Sequence, residues 1–584
     1  MAPHAPGAVD ALGSFSAHPI NLPLHAPHGG DMRRAGSSGS DTAAHPGQRP
    51  PPGLAQEALQ LAAIAGPLFV EGVAAIGEQL VATACVGRLP GAVPLSSLVL
   101  SQAIYNVSGY SVVSGLASAL ETLCGQAFGA GKRELLATML VRAQLVCACA
   151  VLPTALAWGS GALAWLLPQV GQEPAIAAPT SQCVRARARA RRPRGRAGPP
   201  HSQRSTADRA PTARAGRLLQ LMVPALGLSV LTETTVQFLL AQGLAWPGMA
   251  ASLAGLALSP VLNWGLVWWA GLGLPGAALA MVAVQGTLVV ILLSYMLLRE
   301  CRPAAGGSDW RGFRLADAVK GWGQYLSLGV PCVVMVCAEW WVWEVLVLLA
   351  GWLPSPEIAV AVMGLSTQLS LLPWMLCYAI GTATATRTAQ ALGAGSAAGA
   401  ARVCRLACVL SLVSSLGLCA AVWLARGPMV AALTRDLDIQ EQLKHVLPVV
   451  VAAILCDGQV AVLSGVLRGA GRQLTGAWAN WISYWAVGMP VAWMLGAPRF
   501  AGWGVWGLRA GLTVAVATQA LILHALVATL DWGAEVARAQ QLLEDNGASG
   551  GEAGGGEAAG DGSGLAEPLL RQADAAEDGG GQHA

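Results

Sequence analysis

Charged residues are scarce in this sequence. Asp, Glu, Lys and Arg make up 11% of the 584 residues, whereas 54% are hydrophobic and the mean hydropathy is +0.52. A soluble globular protein has about 25% charged residues, so this chain has too few to cover a soluble surface of its size. Most of the surface must face lipid, which predicts an all-α polytopic membrane protein. The net charge of +3 is too small to suggest a nucleic-acid partner.

The motifs of enzymes, ATPases and metal proteins are also missing. The 13 cysteines show no paired CxxC spacing, which argues against a zinc site and against a disulfide framework. No GxxxxGK[ST] loop is present, so we expect no use of ATP. Histidine is nearly absent from the apolar segments, with His524 as the exception. We therefore expect neither an enzyme nor a protein with a metal or cofactor.

Twelve apolar segments are present instead, each close to the length of about 20 residues that crosses the hydrocarbon core of a bilayer. They are Leu59–Ala84, Leu95–Leu116, Leu135–Trp158, Leu218–Leu240, Met249–Trp269, Ala277–Leu297, Tyr325–Leu349, Ala359–Thr382, Val403–Trp423, Val446–Val466, Leu474–Leu495 and Val505–Leu530.

These segments predict two six-helix lobes between two tails. We expect an N-lobe over 54–300, an inter-lobe loop over 301–321 and a C-lobe over 322–532. The tails, 1–53 and 533–584, are rich in Gly and small or polar residues, so we expect them to be disordered. An Arg-rich tract over 181–217 interrupts the N-lobe, and we interpret it as a low-complexity insertion with no role in mechanism.

Basic residues in the connections predict the orientation. They follow the second, sixth, eighth and tenth spans, for example at Lys132, Arg299, Arg387 and Arg468. These connections share one side of the membrane, and the positive-inside rule assigns that side to the cytosol, together with both termini. The Arg-rich tract falls on the other side, which long loops tolerate because they translocate largely regardless of charge.

An internal repeat supports the division into halves. GQAFGAG at Gly125–Gly131 resembles AQALGAG at Ala389–Gly395, and each motif follows the second span of its half. Two six-span halves in the same sense are typical of transporters that rock around a central site.

Carboxylates within the spans are the main candidates for the site. Placing a charge at the bilayer centre costs about 2.5–3.5 kcal/mol on insertion scales, so such residues usually face a cavity and have a function. Glu339 and Asp457 lie near the middle of the seventh and tenth spans. Glu344 is five residues from Glu339, about 140° around the helix, so we expect one of the two acids to sit centrally and the other to flank it. For each of these three acids, the alternative is a purely structural role, as a protonated acid that makes one local hydrogen bond.

The first span adds two acids. Glu71 and Glu78 are seven residues apart and therefore lie on one helix face, which could form the wall of an N-lobe cavity together with Gln126. A helix end frayed into the membrane interface is the alternative explanation for the two acids.

Four long segments make the chain resemble the multidrug and toxic compound extrusion (MATE) family, in its plant and algal branch. They are ALETLCGQAFGAGKRE, GVPCVVMVCAEWWVWEVLVLLAGWLPSPE, RTAQALGAGSAAGAARV and VLSGVLRGAGRQLTGAWANWISYWAVGMP. The resemblance implies two six-helix lobes around a V-shaped central cavity and cation-coupled export. It also implies that the positions of Glu339, Glu344, Asp457, Asn480 and Tyr484 take part in proton coupling and substrate binding. Two features depart from the family, the Arg-rich tract and the acids of the first span.

The function expected from these features is the export of organic cations, xenobiotics or secondary metabolites in exchange for protons by alternating access. Sodium is a less favoured coupling ion, because no dedicated sodium site is visible. An organic anion such as citrate is an alternative cargo. A lipid-linked flippase of a related fold would need cations in its cavity, and the spans contain almost none. Either the plasma membrane or the vacuolar membrane would suit such a protein.

Overall fold

The computed structural model describes residues 53–90, 93–161, 201–301, 310 and 313–551. Described in chain order, the helices are α1 (Leu54–Gly87), α2 (Val93–Tyr105), α3 (Ser111–Ala117), α4 (Ala119–Gly129), α5 (Glu134–Gly159), α6 (His201–Ala241), α7 (Trp246–Trp264), α8 (Leu274–Cys301), α9 (Leu315–Val319), α10 (Trp322–Ala350), α11 (Pro356–Gly393), α12 (Ala397–Leu424), α13 (Arg426–Leu433), α14 (Leu437–Gly469), α15 (Gln473–Trp481), α16 (Met489–Gly496), α17 (Gly504–Ala528) and α18 (Trp532–Gly551).

Ten helical segments in the described part of the chain are long and apolar enough to cross a membrane. The second and eleventh expected spans are not among them, because each is divided into shorter helices. The second runs through α2 and α3, and the eleventh runs through α15 and α16. All twelve apolar segments nevertheless fold as helix, and only the last extends two residues beyond its helix.

Three short π-helical turns interrupt the spans. They are Asn106–Tyr110, Gly265–Trp269 and Ile482–Gly488. The second and third occupy equivalent places in the two halves, since each directly follows an Asn-Trp pair, Asn263–Trp264 or Asn480–Trp481. A π turn widens the helix by one residue and often occurs at functional sites. The repeat of the sequence is thus accompanied by a repeat of an unusual backbone.

The cores of the two halves meet along α1. Two apolar clusters are built mainly from the first half, one of them with Tyr325 and Leu328 of α10, and the largest cluster lies within the second half. A fourth cluster joins Leu61 and Ile64 of α1 to Ile380, Val403 and Val462 of the second half. The first helix therefore packs against both lobes.

The two repeat motifs pack against each other at one end of the molecule, here called the motif end. Gly125 of the first motif faces Ala389 of the second, so closely that a Cβ on Gly125 would lie 2.7 Å from the Cβ of Ala389. Small residues allow two helices to approach at this distance. The sequence repeat is therefore an inter-lobe contact.

The chain beyond residue 532 was expected to be a disordered tail, and this is wrong for 533–551. The side chain of Asp531 accepts the backbone N–H groups of Gly533 and Ala534 and so caps the start of α18. Residues Trp532–Gly551 then form a helix that packs on both lobes. The N-terminal tail, apart from Gly53, and residues 552–584 lie outside the described residues.

The Arg-rich tract was expected to continue as an insertion to residue 217. The structure instead places 201–217 in α6, which runs from His201 through the fourth span to Ala241. Residues 181–200 of the tract lie outside the described part of the chain. The expected inter-lobe loop also contains a helical turn, α9, whose Asp317 carbonyl accepts a hydrogen bond from Arg142.

Candidate functional site

A cavity lies between the lobes. Ser114, Ser118, Glu121 and Gln237 contribute from the first half, and α10, α11, α14, α15 and the π turn after α15 contribute from the second. Four of the five residues predicted for proton coupling and substrate binding line it: Glu339, Asp457, Asn480 and Tyr484. The fifth, Glu344, does not.

Glu339 is held beside two aromatic rings. Its carboxylate accepts a hydrogen bond from the indole nitrogen of Trp374 at 3.3 Å. The ring of Trp374 stacks on Tyr378 with centroids 5.2 Å apart, and Trp340 lines the same cavity. The carboxylate therefore lies beside aromatic surface on which a flat cation could stack.

The chain segment after α14 fixes the backbone on either side of Glu339. Asn480 donates its side-chain amide to the carbonyl of Met335 at 3.3 Å, and Trp485 donates to the carbonyl of Ala338 at 3.1 Å. Gln519 of α17 donates in turn to the side-chain oxygen of Asn480. These bonds hold the part of α10 from which Glu339 faces the cavity.

Asp457 lies across the cavity from α10, on α14. It interacts electrostatically with Glu339 and with Arg509 of α17. The two acids thus come from different helices but act on one space. Glu344, in contrast, is half-buried and lies outside the lining of this cavity.

The acids of the first span lie elsewhere. Glu71 and Glu78 pack against α7, where their carboxylates face Gly248 and Gly255. Within the described part of the chain, each acid has one buried oxygen without a hydrogen-bond partner. Neither lines the central cavity, so the expected N-lobe role remains a prediction. Gln126 is buried and donates to the carbonyl of Gly469 at 3.1 Å, which makes it an inter-lobe contact.

Sequence reasoning missed Glu233, an acid within the fourth span. Its carboxylate accepts a hydrogen bond from Tyr110 at 2.6 Å, and the Tyr110 ring stacks on Trp340, with centroids 6.1 Å apart. Glu233 therefore contacts Tyr110, which in turn stacks on Trp340 of the cavity lining. The sequence pattern that identified the other candidates, a carboxylate within an apolar run, also occurs at Glu233, in LTETTVQFLL.

Arg468 was assigned to a cytosolic connection, but the structure places it in the cavity lining. The tenth span continues as helix to Gly469, so Arg468 still faces inward. Its guanidinium pairs with the carboxylate of Glu121 at 3.0 Å, and Glu121 is almost fully buried. The pair joins α4 of the first half to α14 of the second and forms one end of the cavity.

In the described residues, two ion pairs join the lobes, and both lie toward the motif end. They are Glu121–Arg468 and Glu57–Arg387, the latter with a nitrogen–oxygen distance of 2.9 Å. Thr122 adds a hydrogen bond to the carbonyl of Arg468. The lobes are therefore closed against each other at the motif end. No cluster that could hold a metal ion occurs among the described residues.

Known proteins resemble this chain in sequence and in fold. The MatE family model matches residues 67–188 and 331–494. Protein DETOXIFICATION 14 of Arabidopsis thaliana is 32% identical over 84% of this chain and 92% of its own length. This chain belongs to the MATE family. Protein DETOXIFICATION 3 of the same plant is 30% identical over 84% of this chain and 94% of its own length.

Solved MATE structures share the fold. The crystal structure of the eukaryotic MATE transporter AtDTX14 matches with a TM-score of 0.72 and 29% identity, over 84% of this chain and 99% of that one. The Vibrio cholerae MATE transporter VcmN in its bent form matches with a TM-score of 0.61 at 17% identity, over 85% and 99%, which concerns the fold alone. The predicted fold class and family resemblance are confirmed. As a MATE protein, the chain is a multi-pass secondary transporter of small organic substrates and not an enzyme.

Proposed function

We propose that this transporter exports organic cations in exchange for protons, and that Glu339 and Asp457 form the site for which the two compete. The observation that carries the proposal is the presence of both acids on one inter-lobe cavity. A carboxyl away from water can hold a proton or, once ionised, attract a cation. Binding of the cation then requires release of the proton, and the reverse, which is how an antiporter couples their movements.

The surroundings of Glu339 support a cationic and aromatic substrate. Trp340, Trp374 and Tyr378 all line the cavity beside the acid. Aromatic faces attract cations, with a contribution of about 0.5–2 kcal/mol per contact depending on desolvation. A flat organic cation could therefore place its charge near Glu339 and its ring on Trp374.

Closure at the motif end supports an assignment of the conformational state. The positive-inside rule assigns that end to the cytosol, because the basic connections of the sequence lie there. Both termini would then be cytosolic, and the lobes joined by Glu121–Arg468 would be closed toward the cytosol. The state would thus be an outward-facing one, in either the plasma or the vacuolar membrane.

A positive residue in the cavity favours a second candidate cargo. Arg468 lines the cavity and would attract an organic anion such as citrate or the phosphate of a lipid-linked substrate. Its ion pair with Glu121 offsets that charge, however, whereas no described cation pairs with Glu339 or Asp457 at hydrogen-bond distance. The balance of charge in the cavity supports a cationic cargo.

The test is transport of ethidium in proteoliposomes under an imposed pH gradient, with a sodium gradient in a parallel sample. Wild type should move ethidium with the pH gradient alone, and Glu339→Gln should lose this movement. Glu344→Gln is the matched control, since Glu344 lies on the same helix but outside the cavity, and it should retain transport. Equal transport by wild type and Glu339→Gln would reject the role of Glu339. Movement of citrate but of no cation would favour the anion.

A further inference from the structure

Arg509 is a buried cation within a membrane span. It lies on α17 with 3% of its surface exposed. Its guanidinium donates to the hydroxyl of Ser370 at 3.2 Å and stands over the ring of Trp343, 5.3 Å from the ring centroid. The guanidinium Nε has no hydrogen-bond partner among the residues that the structure describes. A buried arginine in a membrane span is costly and usually has a function, yet the exchange described above does not use it.

The partners of Arg509 place it close to the acid site. Ser370 is four residues before Trp374, and Trp343 is four residues after Glu339. Each therefore lies just over one helical turn, about 6 Å along the helix axis, from the Glu339–Trp374 contact.

The charged and titratable groups around Arg509 come from the helices packed against α17. Asp457 of α14 interacts electrostatically with Arg509 and with Glu339 of α10. Tyr484, in the π turn that packs on α17, interacts electrostatically with both acids. Glu344 of α10 is half-buried beside Trp343. Arg468 interacts electrostatically with Glu339, but its own charge is paired with that of Glu121. Arg509 thus acts on Asp457 from behind the cavity.

We propose that Arg509 sets the charge preference of this site by offsetting one of its two negative charges. Two ionised acids and one arginine leave a single net negative charge for the cargo. The site then suits a singly charged cation, exchanged for one proton, and disfavours a doubly charged one. This inference rests on the proposed function. Arg509 acts through Asp457 and is a positioning residue, because it does not line the cavity.

The decisive experiment compares two dyes that share one ring system. Ethidium carries one positive charge and propidium carries two, so their affinity ratio reports the charge preference rather than the fit of the ring. Binding is measured by fluorescence on purified wild type, Arg509→Met, Arg509→Lys and Ser370→Ala. The last variant removes the hydrogen bond of Arg509 but retains its charge.

Arg509→Met should shift the affinity ratio toward propidium by about tenfold or more, because the uncompensated charge of Asp457 would attract the second charge of propidium strongly in a poorly solvated site. Arg509→Lys and Ser370→Ala should keep the wild-type ratio. The double variant Arg509→Met/Asp457→Asn restores the single net charge, so it should also return to that ratio and avoids an uncompensated acid if the single variant folds poorly.

Three results would each overturn the proposal. The ratio could stay unchanged in Arg509→Met, or Arg509→Lys could shift it as much as Arg509→Met does. The third result is a double variant that departs from the wild-type ratio. These outcomes leave cation export intact, because the wild-type protein would still bind and transport ethidium. A wild type that binds neither dye would instead reject the proposed function, and this inference with it.

Discussion

The backbone of Gly129 lies directly against the carbonyl oxygen of Gln390, with no room for a side chain between them. The relationship is repeated in the opposite direction, since Gly393 lies against the carbonyl oxygen of Gln126. Each motif thus presents a glycine to the glutamine of the other. The glycines of the two repeats explain how α4 and α11 approach closely enough to close the motif end.

Gly129→Ala should destabilise this closed arrangement. The added methyl group would meet backbone rather than a flexible side chain, and such overpacking costs about 1–3 kcal/mol. Thermal stability in detergent, measured by size-exclusion chromatography after heating, should fall. Gly417→Ala is the control, because a Cβ at Gly417 meets nothing within 4 Å. Equal melting of the two variants would contradict the packing argument.

Glu121→Gln should also lower the stability, by about 3 kcal/mol, because it leaves Arg468 charged and largely buried without its partner. The same heating assay measures the loss. The double variant Glu121→Gln/Arg468→Gln removes both charges and should be more stable than the single variant. If the double variant melts lower than Glu121→Gln, the pair does not contribute through its charge.

Asn480→Ala should weaken both the fold and the site. It removes the donor to the Met335 carbonyl and leaves the amide of Gln519 without its acceptor, a loss of about 1–3 kcal/mol for buried groups. Because Met335 lies one turn from Glu339, ethidium binding should weaken as well. Thr529→Ala removes exposed local bonds only and serves as the control. Wild-type melting and binding in Asn480→Ala would show that this contact does not position α10.

Deletion of 532–584 should destabilise the closed motif end, because α18 joins the lobes there. Glu535 pairs with Arg472 of the second half, and Asn546 accepts a hydrogen bond from Arg142 of the first half at 2.9 Å. We expect a lower melting temperature and faster labelling of an introduced cysteine at Thr122. Deletion of 552–584 leaves the helix whole and should have neither effect. Identical behaviour of the two deletions would mean that α18 does not hold the lobes.

The helices and part of the site could be predicted from the sequence, because both depend on local chemistry. A run of about 20 apolar residues must be helical in lipid, and an acid such as Glu339 within it needs a cavity. Four of the five proposed coupling residues accordingly share one cavity. Glu344 does not, in keeping with its angle around the helix.

The rest depends on contacts between distant segments. Arg468 was taken for a loop residue because helix α14 extends beyond its apolar run, and only the pairing with Glu121 shows that it faces inward. Arg509 and Glu233 are single polar residues in apolar runs, and their partners Ser370 and Tyr110 are far away in sequence. Likewise, the composition of the C-terminal segment gave no sign that it would pack on both lobes as α18.

The central claim is that proton and cation compete for the acids of one cavity, and proton movement driven by the cargo tests it most directly. Proteoliposomes with a pH-sensitive dye inside and no initial pH gradient are given an ethidium gradient. Wild type and Glu344→Gln should move protons against the direction of ethidium, whereas Glu339→Gln and Asp457→Asn should not. Ethidium movement without proton movement in wild type, or normal proton movement in both Glu339→Gln and Asp457→Asn, would contradict the account.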